Sequence, residues 1–155
     1  MQNNDPAFFN KNVVKEFYYK NSAKLSIRLS AWKKFGVNRH SLNDWLWTLL
    51  KLRQILKKPK ISILDIGCGT GEMLALFKKK QTNLNIYGID VSPGMIKKAA
   101  DKNKKSKQNF ILSDAAKLPY EDDFFDVTTA IFVLHHVPKL SESIKIIIEL
   151  SGLEK

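Results

Sequence analysis

From Lys60 onward the apolar positions change spacing in a regular way, and the changes lay out a series of strands and helices. Ile61 to Ile66 is a short apolar run between Lys-Pro-Lys and a glycine, the pattern of a strand buried on both faces. A segment with helical spacing follows from about Gly71 to Lys79. Asn85 to Ile89 predicts a second strand, and Pro93 to about Lys104 a second helix, with Ser92 as its N-cap and Pro93 at its first position. Asn109 to Leu112 predicts a third strand, Phe125 to Phe132 a fourth, and Ser141 to Ser151 a last helix. Strands separated by helices of this length predict βαβ units and hence a parallel sheet of α/β class.

Upstream of Pro59 the pattern is helical and rich in aromatics: Phe8, Phe9, Phe17, Tyr18, Tyr19, Trp32, Phe35, Trp45 and Trp47. The clearest helix there runs from about Leu42 to Lys57, opened by Ser41 and Asp44 as a capping-box pair. Leu42, Trp45, Leu46, Leu49, Leu52, Ile55 and Leu56 recur at helical spacing, which predicts a face packed on the sheet rather than a substrate contact by either tryptophan. The chain thus divides into a helical N-terminal extension, residues 1–59, and an alternating domain, residues 60–155.

Composition narrows the class. A chain of 155 residues with 44% hydrophobic and 26% charged residues can bury one core. Its apolar runs are too short to cross a bilayer, and its first residues carry neither a basic n-region nor an apolar stretch of signal length, so a soluble, cytoplasmic protein is expected. Cys68 is the single cysteine and sits between two glycines, where a small side chain suits a tight turn better than a reactive thiol would. The net charge of +11 raises the question of nucleic acid, yet only Arg28, Arg39 and Arg53 are arginines. The lysines gather at strand entrances and helix C-termini, as in Lys78-Lys79-Lys80, where they complement the helix dipole. A lysine-rich solvated surface is the expected reading, with nucleic acid disfavoured.

Three features of the alternating region carry chemistry. Gly67, Gly69 and Gly71 stand at every second position between the first strand and its helix, where absent side chains permit positive φ and close approach of a ligand. A dinucleotide fingerprint would have glycine or alanine at the sixth position from Gly67; that position is Glu72, which would repel a pyrophosphate. Asp90 ends the second strand, where a carboxylate can accept from two ribose hydroxyls, although capping the following turn would also explain it. Asp114, in Ser113-Asp114-Ala115, ends the third strand and can accept from an exocyclic amine, with a following N–H donating to a ring nitrogen.

The stretches ILDIGCGTGEM, IYGIDVSPGMIKKA and NFILSDAAKLPYEDDFFDVTTAIFVLHHV resemble, motif by motif, the class I S-adenosylmethionine-dependent methyltransferases that act on small molecules. The resemblance covers roughly residues 60 to 150 and implies a Rossmann-like parallel sheet with S-adenosylmethionine as cofactor. It implies that Asp65, Gly67, Gly69 and Gly71 surround the methionine moiety and that Asp90 holds the ribose. Val91 and Met95 would flank the adenine, Asp114 and Ala115 would bind its edge, and Phe132 with Val133 would lie beside the sulfonium. It further implies that the helix around Ser41 to Leu50 covers the cofactor.

His135 and His136 would face the transferred methyl. Being adjacent on a strand or loop they point apart and do not chelate, so no metal is expected; one could accept a proton from an acceptor hydroxyl or amine. The implied activity is methyl transfer to a small-molecule acceptor. Two other readings are a non-catalytic S-adenosylmethionine-binding subunit and an RNA methyltransferase. Domains of this family run to seven strands, whereas this sequence reaches Lys155 after the fourth strand and one helix. The resemblance therefore implies a C-terminally truncated domain whose fourth strand is an open edge, met by a partner chain or a second copy.

Overall fold

The computed structural model describes residues 41–151 apart from 53, 138 and 139. The aromatic-rich stretch before residue 41 lies outside the described residues. In chain order the elements are α1 (Leu42–Leu52), a 3₁₀ turn (Ile55–Lys57), β1 (Ile61–Ile66), α2 (Glu72–Lys80) and β2 (Leu84–Asp90). They continue with α3 (Pro93–Lys102), a kinked 3₁₀ stretch (Lys104–Asn109), β3 (Phe110–Leu112), β4 (Val127–Thr129), a 3₁₀ turn (Leu134–His136) and α4 (Leu140–Ser151).

The four strands form one parallel sheet in the order β3-β2-β1-β4. β1 lies at the centre, with Ile61↔Leu84 to Ile66↔Ile89 on one side and Ile63↔Val127 to Asp65↔Thr129 on the other. The strand order reverses between β1 and β4, which opens a crevice at the C-terminal edge there.

Each sheet face carries its own core. Ile61 and Ile63 of β1 join Leu84, Ile86, Leu74, Phe77, Ala99 and Phe110 on the face covered by α1, α2 and α3. Leu64 and Ile66 point the other way, to Ile89, Phe125, Val137 and Leu150 under α4. This period-two division explains the continuous apolar run of β1: each face needs its own alternate residues. An aromatic group of Tyr87, Tyr120, Phe124 and Phe125, with centroids 4.8–6.0 Å apart, extends the second core towards the acidic turn, whose Glu121, Asp122 and Asp123 are exposed.

α1 opens as the capping pair predicts: the Asp44 N–H donates to Ser41 Oγ at 3.2 Å, and the Ser41 hydroxyl lies 2.7 Å from Asp44 Oδ2. It packs on α2 and, through Leu50, Leu46 and Trp47, joins the core of the first sheet face. The Trp47 and Phe77 ring centroids are 5.2 Å apart, and Lys80 Nζ lies 5.7 Å over the Trp47 ring and 2.8 Å from Asp44 Oδ1. Trp45 is 56% exposed.

Most bounds fall within one residue of the pattern, and three elements depart from it by more. α1 ends at Leu52 instead of running to Lys57, because Gln54 adopts the left-handed conformation at φ 57° and redirects Ile55 and Leu56 into the first core from a 3₁₀ turn. α3 ends at Lys102, capped at Asn103, rather than at Lys104. β4 is the third: it holds Val127–Thr129, not Phe125 to Phe132. Phe125 is a buried core residue ahead of the strand, and Asp126 pins its start by exchanging backbone and side-chain hydrogen bonds with Ser62 at 3.0 and 2.9 Å. Phe132 stands at φ 55°, which no strand accommodates. β4 does occupy the sheet edge among the described residues, as expected, but as a short strand of half-buried Val-Thr-Thr.

Candidate functional site

The chain leaves β1 through the glycine turn. Gly67, Gly69 and Gly71 all have positive φ, at 71°, 55° and 66°. Two of them are also held by space. A Cβ on Gly67 would sit 2.6 Å from Val133 Cγ2, and one on Gly71 would sit 2.9 Å from Asn103 Nδ2 and 3.0 Å from Ala99 Cβ. The turn is closed by the Gly71 N–H donating to Cys68 O at 2.9 Å and is tied to β2 by the Cys68 N–H donating to Ile89 O at 2.9 Å. Cys68 is buried, and its side chain fills the space over Gly88, where an added Cβ would lie 2.8 Å from the sulfur. Burial and the neighbouring acids push its thiol far up, which makes it a packing residue and not a nucleophile.

Two buried carboxylates flank this turn. Asp90 Oδ2 accepts from the Gly69 N–H at 3.0 Å and Oδ1 from the Ser92 N–H at 2.9 Å. Asp90 thereby fastens the glycine turn to the start of α3, where Ser92 caps the helix and Pro93 takes its first turn. Burial raises its pKa above the usual carboxylate value against the pull of these N–H donors. Asp65 sits at the end of β1, 6% exposed, and burial together with the Asp90 charge pushes it up to about 7. Among the described residues its side-chain partner is the Thr129 hydroxyl, 2.8 Å from Oδ1. No cation pairs with Asp65 or Asp90 among the described residues.

The other sequence candidates fall along the same C-terminal edge, because β3, β2, β1 and β4 are adjacent in that order. Asp114 follows β3, half-buried, and its Oδ1 accepts from the Ala116 N–H at 3.1 Å. Ala115 is buried in the second core, Met95 is buried in the first turn of α3, and Val91 is half-buried between Asp90 and Ser92. After β4, Val133 packs directly against Gly67, whereas Phe132 is 70% exposed. His135 and His136 belong to a 3₁₀ turn rather than a strand or open loop. The His136 ring is half-buried, and the His135 side chain lies outside the described residues. Sequence reasoning missed Thr129 and Gly88; the one signal for Thr129 was a pair of threonines inside an otherwise apolar run.

A profile described as a methyltransferase domain matches residues 64–150, from the middle of β1 to the end of α4. The chain belongs to the class I S-adenosylmethionine-dependent methyltransferases. Within this methyltransferase family, a demethylmenaquinone methyltransferase of Thermotoga maritima is 36% identical over 89 residues, covering 57% of this chain and 38% of that protein. A tRNA (carboxymethyluridine(34)-5-O)-methyltransferase of Arabidopsis thaliana is 38% identical over 93 residues, covering 60% of this chain and 21% of its own length. This methyltransferase domain thus spans well under half of the length of these two curated relatives. Magnesium protoporphyrin IX methyltransferase from Synechocystis PCC 6803, solved with S-adenosylhomocysteine, superposes with a TM-score of 0.60 at 21% identity, covering 92% of this chain and 68% of that one. That likeness supports the Rossmann-like parallel sheet.

Proposed function

We propose that this domain binds S-adenosylmethionine along the C-terminal edge of β1 to β3 and transfers its methyl group to a small-molecule acceptor. The observation that carries the reading is the pair of buried acids, Asp65 and Asp90, with no cation of the protein to neutralise them among the described residues. Buried charge without a partner is costly, so such a pair suits a ligand that brings positive charge of its own. S-adenosylmethionine does so at its ammonium and its sulfonium, and it lacks the pyrophosphate that Glu72, exposed in the first turn of α2, would repel.

In this reading Gly67, Gly69 and Gly71 keep the turn bare for the methionine end, and Asp65 faces the ammonium. Asp90 accepts from the ribose hydroxyls, with Val91 and Met95 beside the adenine and Asp114 and Ala115 at its edge. Val133 and Phe132 form the wall next to the sulfur. When bound, the cofactor supplies a methyl group that leaves the sulfonium as an acceptor lone pair attacks in line. The chain's part is to hold both reactants in register, with His136 or His135 taking the proton of an acceptor hydroxyl or amine. The quinone substrate in the name of the Thermotoga relative supports a small-molecule acceptor; the lysine surplus and the Arabidopsis relative's tRNA support the RNA reading.

Calorimetric titration with S-adenosylhomocysteine is expected to show saturable binding, and absence of heat with both this ligand and S-adenosylmethionine refutes the cofactor. Methyl-labelled cofactor offered with a small-molecule extract and with RNA is expected to label the former. Label in RNA alone supports the RNA enzyme, and binding without label in either pool supports the non-catalytic subunit.

The edge position of β4, with Leu140 and Ile144 of α4 exposed at 44% and 38%, also supports a second copy or a partner chain meeting the domain there. Sedimentation coefficients should rise with protein concentration; a constant monomer value over the accessible range excludes self-association.

A further inference from the structure

Thr129 ends β4 directly opposite Asp65 in the β1–β4 register. Its hydroxyl lies 2.8 Å from Asp65 Oδ1 and 3.2 Å from Leu64 O. A hydroxyl has one proton and two lone pairs, so these two oxygens compete for its single donor. An ionised Asp65 is the stronger acceptor and takes it. A protonated Asp65 can instead donate to the threonine oxygen, and the threonine proton then turns to Leu64 O. The same side chain therefore serves Asp65 in either protonation state and ties its carboxyl to β4.

We propose that Thr129 is a positioning residue: its hydroxyl holds the Asp65 carboxylate in place and sets the pH range over which the site accepts the ammonium end of the cofactor. The proposal rests on the cofactor reading above. It stands on geometry first, namely register, two acceptor distances and the burial of Asp65. The groups around Asp65 make the hydroxyl matter more. Burial and the Asp90 charge at the end of β2 both disfavour ionisation, Cys68 in the turn stays a neutral thiol, and among the described residues Thr129 is the one group that favours it.

The direction follows. A cation binds the ionised form, so affinity is full above the Asp65 midpoint, about 7 in the free protein, and falls about tenfold for each pH unit below it. Removing the hydroxyl raises the midpoint and moves the falling edge to higher pH.

The test compares wild type with Thr129→Val, which keeps the β-branched shape, and with Thr129→Ser, which keeps the hydroxyl; Thr129→Ala serves if valine does not fold. The Asp65 carboxyl carbon is titrated by NMR in the free protein, and S-adenosylhomocysteine affinity is measured by calorimetry between about pH 5 and about pH 9. In Thr129→Val both the midpoint and the edge of the affinity profile are expected to move up by about one pH unit, a roughly tenfold weaker affinity below the midpoint, with Thr129→Ser close to wild type. An unmoved Asp65 midpoint overturns the proposal, and so does a moved midpoint with an unmoved affinity profile. A moved midpoint with no binding by any variant at any pH refutes the cofactor reading and leaves the hold of Thr129 on Asp65 demonstrated.

Discussion

Gly67→Ala is expected to lower the unfolding free energy by about 2–4 kcal/mol and to remove measurable binding of S-adenosylhomocysteine. Two independent costs add at this position. The backbone stands at φ 71°, where an alanine pays roughly 1 kcal/mol that glycine does not. The new methyl would also lie 2.6 Å from Val133 Cγ2 and 2.8 Å from Val133 Cβ. Those are atoms near the root of a branched side chain that is itself packed on the second core, so the valine cannot swing aside. Overpacking of that kind costs about 1–3 kcal/mol. Relief by backbone movement would open the turn, and with it the contact of Gly69 with Asp90. Against a total stability of about 5–15 kcal/mol, the loss should appear as a fall of roughly 10 °C in the unfolding midpoint. The two costs separate in a double-mutant cycle. Val133→Ala removes the nearest obstacle, Cγ2, but neither the Cβ contact at 2.8 Å nor the φ strain, so the double variant should be less destabilised than the sum of the single variants by up to about 1 kcal/mol. Additive single effects in denaturant unfolding would show that Val133 does not set the need for glycine here.

How far the sequence reveals this site depends on whether the reason for a residue is local. β1 has the bounds that its apolar run predicts, because a strand buried on both faces draws apolar residues to both and this one stops where the glycines begin. Ser92 and Pro93 mark the start of α3 for equally local reasons, and Asp65, Asp90 and Asp114 lie at or just past strand ends that are themselves legible. Reasons that arise from register or from packing are hidden. Phe125 to Phe132 reads as one long strand, yet only Val127–Thr129 pairs with β1, and Ile131 and Phe125 are apolar because they pack on the two cores. Ile55 and Leu56 continue the helical period of α1 but reach the same core from a separate turn. Nothing local in Thr129 announces Asp65, since they meet only through the pairing of β1 with β4. Gly67 was legible as a turn residue, but its second reason, the approach of Val133 from 66 positions further along, was not.

Asp90 is where a purely architectural account and a ligand-binding account can be separated. Both carboxylate oxygens accept from backbone, Gly69 N–H at 3.0 Å and Ser92 N–H at 2.9 Å, so the residue would matter to the fold even if nothing ever bound. Each oxygen of an ionised carboxylate has two acceptor sites, however, and one backbone donor uses one of them. The remaining pair can take the two hydroxyls of a ribose without disturbing the turn. Asp90→Asn keeps the shape but offers one oxygen and one amide nitrogen, so one of the two N–H groups must face a donor. Leaving a buried donor unmet costs about 1–3 kcal/mol, and Asp90→Ala leaves both unmet. Stability alone therefore falls in either account, with alanine below asparagine. The ligand decides between them. Measured where circular dichroism shows each variant folded, S-adenosylhomocysteine affinity should fall at least about a hundredfold in Asp90→Asn, two lost charge-assisted hydrogen bonds being worth about 3 kcal/mol or more. The 2′,3′-dideoxy analogue should bind wild type far more weakly than the parent ligand and should bind Asp90→Asn nearly as well as the parent does. Equal discrimination between the two ligands by wild type and variant would assign Asp90 to the turn alone and move the ribose to another group.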